Sequence, residues 1–191
     1  SLSSLGFEAD PSMRGLGTDG YVICYNPDAL LGLYKRGRRY VNRAYLHMVF
    51  HCLFCHLDTR GKRAEAYWNL ACDIAMESVI DNLHKKCIHV SPSPYRREIY
   101  LRLGRQLKVL TAEGIYQALQ NMNLTETQYQ RLADEFYVDD HDKWTSEPPP
   151  GQPIPRQTKW NDNREKMQTE MESTGQDLSE KGEDQSLLEQ V

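Results

Sequence analysis

His47 and His51 are the residues of this chain best placed to do chemistry. They lie four positions apart inside an apolar run, VNRAYLHMVFHCLFCHL, from Val41 to Leu57. Four residues advance an α-helix by about 400°, so both imidazoles fall on one face, one turn apart. Two ligands presented this way suit a tetrahedral metal ion. Imidazoles buried without partners cost free energy, so the alternative is a pair of core histidines satisfied by ordinary hydrogen bonds. His56 stands nine residues after His47, about 900° of helix, on the opposite face. It reaches the same ion only if the helix breaks near Cys55, and the adjoining LDTRGK is compatible with a turn. Otherwise it is a surface histidine at a helix C-terminus, where the dipole favours it. Cys52 and Cys55 form a C-x-x-C pair with no second pair at zinc-finger spacing, which favours buried structural thiols. Asp73 sits among Trp68, Leu70, Ala71, Cys72, Ile74 and Ala75. A carboxylate in such surroundings needs a partner, and a metal or a metal-bound histidine would serve. Glu77 lies one turn further along the same face; the alternative puts both acids on the wet side of an ordinary amphipathic helix.

Two helices must position these groups. The run Val41–Leu57 reads as a buried helix, and Glu65–His84 as a second. Ahead of them, Tyr21–Tyr25 alternates like a strand after the glycine-rich turn GLGTDG. Asn26 and Pro27 mark a helix start, with Asn as N-cap and Pro at the first helical position. Pro92 and Pro94 break the chain after the second helix, and Arg97–Leu110 reads as a basic connecting segment. Thr111 caps a short helix, and Thr125 with Gln128 forms a capping box for another that ends before DDHDKW.

Composition sets the outer limits. The chain has 191 residues and a net charge of −4. Residues 145–191 hold 5 basic and 10 acidic residues, leaving 18 against 17 in residues 1–144. A nearly neutral body argues against a nucleic-acid binder. No apolar run is long enough to span a membrane, and no signal peptide is visible. An odd count of five cysteines favours reduced thiols and a cytoplasmic location. The stretch EPPPGQPIP separates the body, residues 1–144, from a Pro-rich, acidic linker or tail, 145–191, expected to be disordered or partly helical.

Read together and in order, GTDGYVICYNP, HMVFHCLFCHL, YWNLACDIAMESVID and DDHDKW resemble a bacterial family of metallopeptidase-like proteins. The resemblance covers about residues 15–144. Its members have a zincin-like domain, usually followed by a von Willebrand factor A-like domain. The pattern is a T-D-G strand ending in N-P, a helix with H-E-x-x-H-x-x-x-x-H, and a helix with W-N-x-A-x-D. The resemblance implies zinc as the cofactor, with His47 and His51 as the helix ligands. It implies His56 or Asp73 as the third, Asp73 being favoured because zincins often take that ligand from a second helix. It also implies coupling to a von Willebrand-type domain and to an AAA-type ATPase.

The chain departs from the pattern at Met48, which stands where the family has the glutamate of H-E-x-x-H. In zincins that glutamate is the general base and acid, and methionine can be neither. It is not a ligand, so metal binding can survive its loss. Glu77 replaces it only if the fold brings it close. The expectation is therefore an α+β, mostly helical zincin-like domain with a small sheet whose edge strand, Tyr21–Tyr25, holds an extended peptide by β-augmentation. Its function is expected to be metal binding with impaired peptidase chemistry, a pseudoenzyme. The alternatives are a non-catalytic interaction module in a larger assembly and an active zinc peptidase with a substitute base. On the first of these readings, Met48→Glu restores the missing chemical group.

Overall fold

A computed structural model of the chain describes residues 5–144. Among these residues the chain forms β1 (Gly6–Ala9), β2 (Leu16–Thr18), β3 (Val22–Tyr25), α1 (Pro27–Arg36), α2 (Arg38–Leu53), α3 (Glu65–Asn82), α4 (Pro94–Gly104), α5 (Ala112–Asn121) and α6 (Glu126–Phe136). This is a mostly helical α+β fold, as expected. The tail at 145–191 lies outside the described residues. No helix among those described is long and apolar enough to cross a membrane.

The apolar character of α3 runs around its whole circumference, so the helix is buried on every side. Trp68, Ala71, Cys72 and Ile74 are fully inaccessible. Around α3 pack Ile99 and Leu103 of α4, Ile115, Ala118 and Leu119 of α5, and Leu132 and Phe136 of α6. The buried face of α2 lies against α3, and Asp73 and Glu77 are thereby carried into the interior rather than onto a wet face.

Local chemistry fixes the helix ends. The Asn26 side chain accepts from the backbone N–H groups of Asp28 and Ala29 and caps α1, with Pro27 in the first turn. Thr125 and Gln128 form the full capping box of α6. At Pro94 the expectation of a break fails. Proline lacks an N–H that the first turn would leave unpaired anyway, so with Ser93 as N-cap it starts α4, and Arg97–Gly104 is helical rather than connecting. Helix α2 stops at Leu53, and Cys55 takes a left-handed backbone with φ of 56°. That turn is the break His56 needs to come back toward the helix. None of the five cysteines forms a disulfide; Cys52 is buried but Cys55 is exposed, so the expected pair of buried thiols is half correct.

The sheet overturns one expectation. Its order is β1-β3-β2, with β1 parallel and β2 antiparallel to β3. The strand expected at the edge is central. Val22–Tyr25 has its neighbours in place on both sides, so no peptide can add there. Leu16 and Ile23 pack with Met48 of α2 in a small buried cluster that seats the sheet on the helix. Outside β2 runs the segment after α6: Gly17 bridges Asp140, and the Asp140 N–H donates to the Leu16 carbonyl. Glycine is required at Gly17, because a Cβ there would lie 2.5 Å from the Asp140 carbonyl oxygen.

Candidate metal centre

Helix α2 presents His47 and His51 on one face, and both are fully buried. Their Nε2 atoms lie 2.7 Å apart. Asp73, on the facing helix α3, places Oδ1 3.3 Å from each of these nitrogens. Asp139, in the segment after α6, places Oδ1 3.3 Å from His47 Nε2 and 3.7 Å from His51 Nε2. One atom from each of the four residues thus falls within 4.8 Å of all the others, and all four side chains are buried. His141 joins from the same segment, with Nε2 3.1 Å from Asp73 Oδ1 and 3.4 Å from Asp139 Oδ1. Its ring stacks on Trp144 at 3.8 Å, and Trp144 also lies edge-on to His51.

Each α2 histidine is held from behind by a different group. Glu77 Oε1 lies 3.0 Å from His47 Nδ1. A carboxylate can only accept, so Nδ1 carries a proton and Nε2 is the atom turned toward the cluster. Glu77 Oε2 accepts from Arg43 Nε at 3.0 Å, from Arg43 Nη2 at 2.6 Å, and from Arg96 Nη1. Burial pushes the Glu77 carboxyl up, but the His47 N–H and the charges of His47, Arg43 and Arg96 outweigh it and hold the group down to about 2. Behind His51 stands His56, with the two Nδ1 atoms 3.0 Å apart. One proton sits between them, and the Trp68 indole N–H holds His56 in place through its carbonyl at 3.2 Å.

The electrostatics call for a cation. Among the described residues, the ion-pair partners of Asp73 and Asp139 are imidazoles, not Lys or Arg. Burial opposes charging His141, but the Asp73 and Asp139 carboxylates overcome it and raise His141 to about 10. Burial and the neighbouring His47 push His51 down to about 4; burial and His51 push His56 down to about 3. The charges on His47 and His141 thus balance the two buried carboxylates, a balance that a bound cation would take over by displacing those protons. The fit to a metal has two further supports. Asp139 Oδ2 is buried without a hydrogen-bond partner, while Asp139 Oδ1 and His141 Nε2 meet their neighbours as ion pairs without hydrogen-bond geometry, a costly state that coordination would relieve. Ligands about 2.0–2.1 Å from a tetrahedral zinc stand about 3.3–3.4 Å from one another; three of the histidine–carboxylate separations are 3.3 Å and the fourth 3.7 Å, while the two Nε2 atoms, 2.7 Å apart, would have to separate to bind one ion.

Of the residues picked out from the sequence, the structure brings together His47, His51 and Asp73. His56 does not share their centre. The turn at Cys55 returns it to the rear nitrogen of His51. Glu77 is not positioned as a substitute base. Both of its oxygens are occupied, and it faces the rear nitrogen of His47. Met48 is 1% exposed and packs against Leu16 and Ile23. Asp139 and His141 are not among the ligands expected from the sequence. The only signal for them was the run DDHDKW, an acidic cluster with one histidine in the position of a loop after a helix, and no spacing rule ties such a loop to a helix some ninety residues earlier.

The chain matches the family described as "Putative metallopeptidase domain" over residues 2–188. It therefore belongs to that family. No curated protein and no solved structure matches it.

Proposed function

We propose that this member of the metallopeptidase-domain family binds one zinc-type ion and uses it to hold the domain together rather than to cleave peptides. The observation that carries the reading is the completeness of the ligand set. Catalytic zinc sites keep three protein ligands and an open position, whereas structural sites are closed by four. Here His47, His51, Asp73 and Asp139 already make four, and His141 stands beside them. Two imidazoles and two carboxylates suit zinc, and the two carboxylate charges balance a divalent ion.

The chain's own residues have clear parts in this. Glu77 keeps the proton of His47 on Nδ1 and His56 shares one with Nδ1 of His51, so that both Nε2 atoms are free to bind. Trp144 and His141 cover the cluster. A bound zinc would supply Lewis acidity, but Met48 offers no proton transfer beside it, and Glu77 is turned away. The domain then serves as an interaction module in a larger assembly, with a von Willebrand-type domain and an AAA-type ATPase as the neighbours the family resemblance indicates. Exposed Phe7, Leu31 and Tyr34 offer apolar surface for such contacts. Five cysteines without a disulfide accord with a reducing, cytoplasmic setting.

The test is elemental analysis of the full chain purified without chelator, combined with thermal melting and a peptide-hydrolysis assay. One ion per chain, a melting temperature lowered by chelator, and no hydrolysis are expected. Chelator-sensitive hydrolysis by the unmodified chain would sink the structural reading; protein with no stoichiometric metal would sink the metal reading.

A further inference from the structure

We propose that the cleft bounded by α1 and α2 on one side and α4 and α6 on the other binds a phosphate monoester. The cleft has a volume of about 710 Å³, within the range of about 300–1,000 Å³ usual for small-molecule sites. Four guanidinium groups line it, those of Arg14, Arg36, Arg43 and Arg96. Arg96 is spent on Glu77 and Glu135. Arg43 pairs with Glu77 and Asp81 through Nε and Nη2, but its Nη1 is buried with no partner, on a residue only 6% exposed. A buried guanidinium nitrogen left unpaired costs free energy that an incoming anion would recover.

The other two arginines stand at the rim. Arg14 lies over the Tyr137 ring at 4.5 Å and Arg36 over the Tyr40 ring at 4.3 Å. Neither has an ion pair among the described residues. A guanidinium held over an aromatic face is oriented while its N–H edge stays free for two parallel hydrogen bonds to an oxyanion. The acids in the lining do not compete well. Glu77 and Glu135 are taken by Arg43, Arg96 and Ser93, and Asp134 is exposed and accepts from Gln130.

Three guanidinium groups with unused donors exceed what one carboxylate accepts. A phosphate monoester carries about −1.5 to −2 charges and three acceptor oxygens, and matches them. Leu33, Ala29 and Val138 supply apolar wall beside the arginines, which favours an ester with an organic body over the free ion. Arg14 and Arg36 take part in no contact of the metal cluster, so the two sites are separable by mutation.

Calorimetric titration of the full chain as purified tests this, with phenyl phosphate, inorganic phosphate and benzoate as probes. Phenyl phosphate should bind in the submillimolar range, inorganic phosphate more weakly, and benzoate most weakly. The double variant Arg14→Ala/Arg36→Ala should bind phenyl phosphate at least about tenfold more weakly, with metal content unchanged. Equal affinity in the double variant, or no binding of phenyl phosphate by the parent chain, would overturn the site. Benzoate binding as tightly as phenyl phosphate would overturn the choice of phosphate, and inorganic phosphate binding as tightly would overturn the choice of an ester.

Discussion

Glu77 and His47 face each other across the α2–α3 contact, with Oε1 3.0 Å from Nδ1. The other oxygen of the same carboxylate takes both Arg43 and Arg96. One buried side chain therefore holds Nδ1 of a candidate metal ligand and pairs with two arginines, Arg43 buried and Arg96 half-buried. Both oxygens are engaged, and the carboxylate faces the rear nitrogen of His47.

Glu77→Gln tests that double duty. The amide keeps the volume and can still accept from His47, but the charge is gone. Metal affinity, read by chelator competition, should fall by about 10–100-fold. Stability should fall by up to about 3–5 kcal/mol, because Arg43 and Arg96 lose a buried counter-charge. Unchanged metal affinity would show that His47 needs no such partner.

His51→Ala and His56→Ala should separate ligand from orienting partner. The first removes a coordinating nitrogen and should abolish stoichiometric metal. The second leaves all four ligands and should weaken binding by about tenfold or somewhat more, with one ion per chain still bound at saturating zinc. Complete loss of metal in His56→Ala would place His56 in the coordination sphere instead.

Met48→Glu, which from the sequence alone restores a missing base, should stay silent as a single change. The side chain is 1% exposed between Leu16 and Ile23, so a carboxylate there costs at least about 1–3 kcal/mol. On the proposed four-ligand reading, the metal would also have no open position. Met48→Glu combined with Asp139→Ala opens one position and supplies a proton-transfer group, whose contribution is typically about 10²–10⁴-fold. Metal-dependent peptide hydrolysis should then appear in the double variant first. Activity in Met48→Glu alone would mean the site is not closed.

Gly17→Ala should weaken metal binding although Gly17 touches no ligand. Its Cβ would press on the Asp140 carbonyl at 2.5 Å and on the Met13 methyl at 2.9 Å. Relief requires moving the backbone next to Asp139. A loss of about 1–3 kcal/mol in stability, with a parallel drop in zinc affinity, is expected in denaturant and chelator titrations. Loss of stability with zinc affinity intact would show that Asp139 is held independently of the bridge.

The parts of the site legible in the sequence are those that obey a local period. His47 and His51 are one turn apart, and the cap at Asn26 and the box at Thr125–Gln128 are short-range rules that hold. Asp73 was legible because a carboxylate in an apolar helix needs a reason. The misreadings were non-local or depended on a neighbour. The strand at Val22–Tyr25 looks the same at an edge or in the centre, and only the parallel pairing of Gly6–Ala9 decides it. Pro94 reads as a breaker unless Ser93 is seen to cap the turn it begins. Asp139 carries only a weak local mark, the run DDHDKW; its place beside the histidines depends on Asp140 docking on β2.

That docking would give a bound ion a topological role. His47 and Asp139 are separated by roughly ninety residues, and one ion bound to both would close the intervening chain into a loop. In the chain-entropy picture, a cross-link closing about 100 residues withdraws on the order of 4–5 kcal/mol of freedom from the unfolded ensemble. The ion is then a clasp between distant parts of the backbone, in a protein whose cysteines form none. Such a clasp opens to chelation and not to reduction, and opening it would release the last described segment and the strand it rests on as one piece.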